Sequence, residues 1–216
     1  GAINVEQEAV QRYGGRLLFT SGAPYSPLVS HIKGYADIKV PRFNLNELGF
    51  MKRRDLSVDT IVERLDAFSS LKVGVIGDII VDEYIECIAL GMSHEDHNVV
   101  LSPNSSQHFI GGAGIVARHA KSLGAGVTLF SVVGDDHIGT MVEKTLKKEG
   151  VDLVLFRDAL RPTTLKQRFQ VENTTRFRLS HLEQSTINND LEEALIARFD
   201  EVAAGLDVVI FSDFSY

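Results

Sequence analysis

Apolar, strand-like runs alternate with amphipathic helical segments from Ser57 onward, and this alternation constrains the fold more than any other feature. Buried parallel strands are continuous runs rich in Val and Ile, whereas the segments between them have the period of a helix. The runs are "LKVGVIGDIIVDEYI", "VTLFSVV", "VDLVLF" and "DVVIFSD", and the helical segments are residues 57–68, 112–123, 138–149 and 188–204. This pattern predicts an α/β fold with a buried parallel sheet and right-handed crossovers.

Two segments interrupt the alternation. Residues 86–110 contain short runs of alternating polar and apolar residues, which are typical of an exposed antiparallel flap. Further along, "TTLKQRFQV" and "TRFRLSHL" flank Glu172-Asn173-Thr174 and predict an antiparallel hairpin. We expect the two segments to form a small β lid that stands off the sheet and has open strand edges.

Composition excludes several classes of protein. The net charge is −7, from 22 Lys and Arg against 29 Asp and Glu, so neither nucleic acid nor an anionic membrane is an expected partner. One cysteine, Cys87, excludes an intrachain disulfide. The chain shows neither a signal peptide nor a membrane-spanning run, which predicts a cytoplasmic protein. His94 and His97 lack an obvious third ligand, so no metal site is predicted.

The segment "FIGGAGIVARHAKSLGAGVTLFSVVGDD" permits more than one interpretation. Gly112, Gly114 and Ala117 fit the dinucleotide fingerprint G-x-G-x-x-A, and the acidic Asp135 follows downstream. That fingerprint needs an apolar strand leading into the glycines, whereas "SPNSSQHFI" is polar, so a dinucleotide-dependent oxidoreductase is the less favoured alternative. A glycine pair at a helix start either permits tight packing or offers its backbone N–H groups to a ligand.

The same segment, continued to "VVGDDHIG", resembles the first signature of the ribokinase-like (PfkB) carbohydrate kinases. "GDIIVDEY" resembles their first strand and substrate loop. "RPTTLKQRFQVENTTRFRLSHLE", followed by "VVIFSDFSY", is similar to the heptose-7-phosphate kinase half of bifunctional ADP-heptose synthases. The resemblance implies a three-layer α/β/α sheet of the ribokinase type, with a β lid, of which this chain carries the N-terminal part.

The start of the chain resembles a different family. "INVEQEAVQRYGGRLLFTSGAPYSP" is similar to the tail of a cytidylyltransferase-like nucleotidyltransferase. We therefore predict a C-terminal remnant of such a domain over residues 1–30, a linker over 31–56, and the substrate-binding part of the kinase domain over 57–216. On this division we expect the chain to be truncated at both ends.

Two carboxylates follow the first strand at a spacing of four. A carboxylate accepts two hydrogen bonds in a fixed plane, which suits the vicinal hydroxyls of a sugar. The resemblance implies that Asp78 and Asp82 bind substrate hydroxyls and that the amides of Gly111 and Gly112 support them. Alternatively, one of the two carboxylates caps a turn or a helix.

Basic residues cluster on the predicted hairpin. Lys166 and Arg168 alternate along one strand and face the same side, with Arg161 and Arg178 nearby in the sequence. The cluster is either a sugar-phosphate site or a solvated strand face. Glu183 is a weaker candidate for a substrate contact.

The resemblance also implies a reaction, namely ATP- and Mg²⁺-dependent phosphorylation of a sugar or a heptose-7-phosphate-like sugar phosphate. In the resembled family, a Gly-Ala-Gly-Asp segment supplies the catalytic base and an anion hole. No such segment occurs in these 216 residues. We therefore expect the base after Tyr216, an inactive fragment, and a homodimer formed through the lid. Ile115 replaces a family Asn, which keeps a non-catalytic ligand-binding relative as an alternative.

Overall fold

The computed structural model describes residues 51–54 and 56–214. Contacts divide the chain into two compact units, Gly1–Asp66 and Ala67–Tyr216. The predicted nucleotidyltransferase remnant over residues 1–30, and most of the predicted linker, lie outside the described residues. The assignment of residues 1–30 to a nucleotidyltransferase remnant therefore stays a prediction.

Helix α1 (Val58–Ala67) is the helix predicted to begin after Ser57. The Ser57 hydroxyl accepts a hydrogen bond from the Thr60 N–H at 3.0 Å, which satisfies one of the unpaired amides of the first turn. The N-cap prediction is thus confirmed. Just before it, residues 51–53 are also helical, within the segment predicted to be a linker.

The second unit contains eight described strands and three helices. In chain order they are β1 (Lys72–Gly77), β2 (Ile79–Met92), β3 (Val99–Gly112), α2 (Ala113–Ser122), β4 (Gly126–Gly134), α3 (His137–Lys148), β5 (Asp152–Asp158), β6 (Thr164–Val171), β7 (Thr174–His181), α4 (Asn189–Ala203) and β8 (Val208–Ser212). They form two four-stranded sheets.

The first sheet is parallel, with the strand order β5-β4-β1-β8. Alternate residues of β1 and β4, such as Val75 and Leu129, are buried in one core with α2 and α3. On the opposite face, Phe130 of β4 meets Phe199 of α4 edge to face. Helices therefore cover both faces, as predicted. No helix in the part of the chain that the structure describes is long and apolar enough to cross a membrane.

The second sheet is the predicted β lid, with the strand order β3-β2-β6-β7. Strands β2 and β3 form a long antiparallel hairpin, β6 runs parallel to β2, and β7 returns antiparallel to β6. The β6–β7 turn consists of Glu172 and Asn173, whose φ angles of 52° and 61° are the left-handed values of a two-residue hairpin turn. Both lid predictions are confirmed.

Two apolar runs differ in detail from the predicted strands. The run "LKVGVIGDIIVDEYI" divides at Asp78, which confirms that the first strand ends just before the two carboxylates, but the residues after Asp78 form β2 of the lid instead of continuing the parallel sheet. The Asp78 N–H bonds to the Ser212 carbonyl and the Asp78 carbonyl accepts from the Ala113 N–H, which separates the two strands. The run "DVVIFSD" forms an edge strand rather than a buried one, and Val208 is 39% exposed.

The motif Gly134-Asp-Asp136-His-Ile-Gly139 anchors the second half of the lid to the sheet. Asp136 caps α3 by accepting from the Gly139 N–H at 2.7 Å, and it also accepts from the N–H and hydroxyl of Thr163 at 2.7 and 2.9 Å. Burial opposes the charged carboxylate, but these hydrogen bonds outweigh it and lower the pKa of Asp136. A side chain on Gly134 would meet the Thr163 nitrogen at 2.5 Å. Thr163 directly precedes β6, so this contact fixes where β6 begins.

We expect Asp136→Ala to lower the free energy of unfolding by about 2–3 kcal/mol, because three donors lose their acceptor. The folded-state pKa is depressed, so the contribution of Asp136 is present above its unfolded-state pKa. It is lost as the pH falls through the folded-state pKa. Urea unfolding at neutral and acidic pH should therefore show the difference between wild type and variant shrinking on acidification.

Asn188→Ala is the matched control for this prediction. Asn188 caps α4 through a single hydrogen bond from the Leu191 N–H at 2.8 Å, and its side chain does not titrate. Its removal should cost about 1 kcal/mol, equally at both pH values. An equal and pH-independent effect of the two substitutions would contradict the role given to Asp136.

Candidate functional site

The lid rises from the carboxyl ends of the parallel strands. Strand β2 begins one residue after the junction at Asp78, β3 ends where α2 begins, and β6 follows the loop after β5. In open α/β sheets, ligands bind outside the carboxyl ends of the strands. The base of the lid is therefore where a ligand site is expected.

A cavity of about 530 Å³ lies against one face of the lid. Its walls come from β2, β3, β6 and the β6–β7 turn, and the lining residues are Asp82, Tyr84, Glu86, Ser105, Gln107, Phe109, Gln170 and Asn173. Asp82 is opposite Phe109 in the strand register, and Tyr84 is opposite Gln107. The cavity combines one aromatic patch with several hydrogen-bonding side chains, as small-molecule sites usually do.

Asp82 is held by Arg168 of the neighbouring strand. The Arg168 Nη2 and Nε atoms lie 2.6 and 3.2 Å from the same Asp82 oxygen, Oδ1. Each side chain is 24% exposed, so the pair is largely shielded from water. The hydrogen bond to Asp82 raises the pKa of Arg168, which keeps the guanidinium charged.

Two aromatic rings support this ion pair. The Arg168 guanidinium carbon lies 5.5 Å from the centre of the Tyr84 ring, within cation–π range. Phe109 meets Tyr84 edge to face, with 5.5 Å between ring centres and an interplanar angle of 88°. Phe109 is nevertheless half exposed, so an aromatic surface faces the cavity.

The two glycines of the predicted pair have different neighbours and different structural roles. A side chain on Gly111 would lie 3.4 Å from Asp82 Oδ2, so the structure brings Gly111 and Asp82 together. Gly112 precedes α2 with a φ of 57°, and a side chain there would lie 2.1 Å from the Asp78 carbonyl oxygen. Gly111 therefore borders the cavity side of the lid, whereas Gly112 permits the close approach of two backbone segments.

Asp78 does not join Asp82 at this cavity. Its carboxylate accepts a hydrogen bond from the Phe214 N–H at 2.8 Å, which ties Asp78 to the segment just after β8. Asp78 lines a separate cavity of about 20 Å³ together with Arg161 and Glu183. A hydrogen bond from the Ser185 N–H lowers the pKa of the Glu183 carboxyl.

The basic residues of the hairpin share the face that carries Asp82. Lys166 is opposite Asp82, and Arg168 is opposite both Tyr84 on β2 and Arg178 on β7. Arg161 does not belong to this group, because it donates to the Ser185 carbonyl at 2.6 Å beside the smaller cavity.

Sequence reasoning missed most of the cavity lining, including Tyr84, Gln107 and Phe109. Side chains alternate between the two faces of a strand, so the sequence could have placed Tyr84 and Glu86 on the same face of β2 as Asp82. The partners on β3 depend on a register that is broken by irregularities near Cys87 and Gly91, and the sequence does not mark them.

The remaining sequence candidates lie elsewhere. His94 and His97 are in the loop that joins β2 to β3, and the residues that the structure describes contain no His, Cys, Asp and Glu cluster able to hold a metal. The dinucleotide alternative is wrong in its context, because β3, which leads into Gly112, is an edge strand of the lid antiparallel to β2. Gly114 instead packs α2 closely against Ile110.

Comparison with known proteins gives consistent matches. The model described as pfkB family carbohydrate kinase matches residues 70–210. Bifunctional protein HldE of Bradyrhizobium sp. (strain ORS 278) is 36% identical over 143 residues, which cover 65% of this chain and 29% of that protein. The chain thus spans about a third or less of the length of the curated relatives it matches.

One solved structure supports the fold. The crystal structure of Sa239 is 17% identical with a TM-score of 0.51, covering 65% of this chain and 45% of that one. A carbohydrate kinase from Agrobacterium tumefaciens is 18% identical with a TM-score of 0.48, over 65% and 45% of the two chains. Together with the family match, the likeness to Sa239 confirms the predicted ribokinase-like α/β fold.

The two adjacent glycines should respond differently to an added methyl group. Gly111→Ala should change the free energy of unfolding by less than about 1 kcal/mol, because its nearest neighbours stay near van der Waals distance. Gly112→Ala should cost at least about 3 kcal/mol, because the φ of 57° and the 2.1 Å contact both disfavour a side chain. Urea unfolding followed by circular dichroism measures both, and equal costs would contradict this geometry.

Proposed function

Because the chain belongs to the pfkB family of carbohydrate kinases, we propose that it forms the sugar-binding part of a kinase that phosphorylates a sugar or a heptose-7-phosphate-like sugar phosphate. The observation that carries the proposal is the lid cavity, where the Asp82 carboxylate lies beside Gly111 at the carboxyl edge of the sheet. A carboxylate in such a place accepts hydrogen bonds from sugar hydroxyls and fixes their orientation.

In the proposed reaction, a sugar hydroxyl oxygen attacks the γ-phosphorus of ATP. The new P–O bond forms as the bond to the β-phosphate oxygen breaks, ADP leaves, and a base takes the hydroxyl proton. Catalysis of this kind depends mainly on positioning and on charge stabilisation. We assign the positioning of the sugar to the lid and propose ATP with Mg²⁺ as the phosphoryl donor.

The basic face of the lid favours a phosphorylated substrate. Lys166, Arg168 and Arg178 occupy neighbouring register positions on the face that carries Asp82, in a protein whose net charge is −7. Such a local excess of cations in an acidic protein suits an anionic ligand. Asp78, Gly112 and Glu183, also predicted as substrate residues, border the smaller cavity or the strand junction, where we propose that they shape the base of the site.

We further propose that this kinase belongs to a bifunctional protein that also carries a nucleotidyltransferase and makes a nucleotide-activated sugar. Relatives named bifunctional protein HldE support this proposal. Assays of the complete gene product for ADP release and for nucleotide-sugar formation test the two activities separately.

Asp82→Asn in the complete gene product should lower kcat/KM for the sugar substrate about 10–100-fold, because an amide is a weaker acceptor of hydroxyl hydrogen bonds. The KM for ATP should stay nearly unchanged. A coupled assay of ADP release against a panel of sugars and sugar phosphates measures both values.

Asp152→Asn is the control for this prediction, since Asp152 is an exposed carboxylate at the amino end of β5, on the edge opposite the lid. It should behave as wild type. Unchanged sugar kinetics in Asp82→Asn would remove Asp82 from the site, whereas turnover of NAD-linked substrates instead of sugars would overturn the kinase assignment.

We also propose that the lid hairpin forms a homodimer. Apolar side chains near its tip are more than half exposed, namely Ile88, Leu90, Met92 and Val99. An exposed apolar patch on an open strand edge favours association with a second copy.

Leu90→Asp should raise the dimer Kd at least about tenfold, because a charge would replace an apolar contact at the interface. Sedimentation velocity at micromolar concentration measures the change. Leu160→Asp is the matched control, since Leu160 is 90% exposed but lies in the loop after β5, outside the lid. A monomeric wild-type protein, or an equal effect of the two substitutions, would refute a lid dimer.

A further inference from the structure

Arg168 contacts only one of the two oxygens of Asp82. Its Nη2 and Nε atoms both approach Oδ1, at 2.6 and 3.2 Å. The other oxygen, Oδ2, is the Asp82 atom nearest to Gly111, where an added side chain would lie 3.4 Å from it. The carboxylate thus has one oxygen facing the guanidinium and the other facing the glycine strand.

The Arg168 guanidinium is itself held in place. It lies over the Tyr84 ring, which is braced edge-on by Phe109. A planar guanidinium can bond to a carboxylate and lie against a ring at the same time, whereas a lysine ammonium is a point charge on a flexible stem. The arrangement therefore fixes Arg168 in orientation as well as in position.

Binding a phosphate with Arg168 would disturb this arrangement. The guanidinium would have to leave Asp82, and a largely shielded carboxylate would then stand beside an anionic phosphate without its counter-charge. Arg178 lies on β7, directly opposite Arg168 and two strands away from Asp82, and its side chain is exposed. It can therefore contact a phosphate without breaking the Asp82–Arg168 ion pair. With the charge of Arg168 balanced by Asp82, the exposed Arg178 supplies positive charge on this face of the lid, and Lys166 is the neighbouring residue of β6 on the same face.

We infer that Arg168 is a positioning residue, which fixes the Asp82 carboxylate so that Oδ2 accepts a sugar hydroxyl, and that Lys166 and Arg178 bind the phosphate of the substrate. This inference rests on the proposed sugar-kinase function. It changes the role predicted for Arg168 from the sequence, where it was grouped with Lys166 as a phosphate ligand.

The test compares a heptose 7-phosphate with the same heptose lacking the phosphate, in the complete gene product. Arg168→Ala should lower kcat/KM about 10–100-fold for both sugars alike, because hydroxyl binding is common to them. Arg168→Lys should not restore it. Arg178→Ala should lower kcat/KM about tenfold or more for the phosphorylated sugar alone. A loss confined to the phosphorylated sugar in Arg168→Ala would overturn the inference.

A double-mutant cycle adds a second criterion. In the Asp82→Asn background, Arg168→Ala should cause less than about a threefold further loss, since the group that it positions is already altered. Fully multiplicative losses would overturn the inference. Thermal unfolding of each variant identifies failure to fold, and Arg168→Gln, which keeps most of the side-chain volume, replaces Arg168→Ala in that event.

A measurement that does not require catalytic turnover distinguishes failure of this inference from failure of the proposed function. Isothermal titration calorimetry with the unphosphorylated heptose should give a Kd at least about tenfold higher in Arg168→Ala than in wild type, because the carboxylate that accepts the hydroxyl is no longer fixed. If the wild-type protein phosphorylates no sugar, the proposed function fails, and with it the role of Oδ2 as a sugar ligand. An unchanged heptose Kd in an otherwise active enzyme would instead overturn the positioning role alone.

Discussion

Asp78 bonds to three segments of the chain at once. Its N–H donates to the Ser212 carbonyl, its carbonyl accepts from the Ala113 N–H, and its carboxylate accepts from the Phe214 N–H. The end of β1 is thereby tied to the end of β8 and to the start of α2. The parallel sheet ends at this junction and the lid begins one residue later. Gly112 is needed here because any side chain would occupy the space of the Asp78 carbonyl.

A second junction fixes the other half of the lid. Asp136 bonds to both Gly139 and Thr163, so the start of α3 and the start of β6 are held together. With β2 anchored at Asp78 and β6 at Thr163, the parallel register between these strands is set at their base. That register brings Asp82 and Arg168 together across 86 residues of sequence. The geometry of the candidate site thus follows from two hydrogen-bonded junctions at the base of the lid, one through the backbone of Asp78 and one through the side chain of Asp136.

The sequence predicted most of the elements, because their signals are local. Helical periodicity, the Ser57 cap, the lid segments and the hairpin around Asn173 all depend on neighbours within a few residues. The end of the first strand at Asp78 was predicted, but the change of sheet that follows it was missed, because the apolar run continues through Asp78 and the bonds that divide it come from Ser212 and Ala113. Asp82 was recognised through a family resemblance. Its pairing with Arg168 was not, because no local pattern encodes the register of two parallel strands.

The layout of the lid gives the proposed site two chemically different ends. Gly111 and Asp82 lie on β3 and β2, where hydrogen-bond acceptors favour hydroxyl groups, whereas Arg178 lies on the far strand β7. Three strand spacings separate β3 from β7, a distance of about 14 Å. A substrate that contacts both ends therefore needs several carbons between its bound hydroxyls and its phosphate. The acidic net charge of the chain does not oppose such binding, because the exposed guanidinium of Arg178 supplies a local positive charge at the β7 end. A long sugar phosphate can therefore reach from Asp82 to Arg178, whereas a short polyol phosphate can reach from Asp82 only as far as Lys166, which is one strand spacing away.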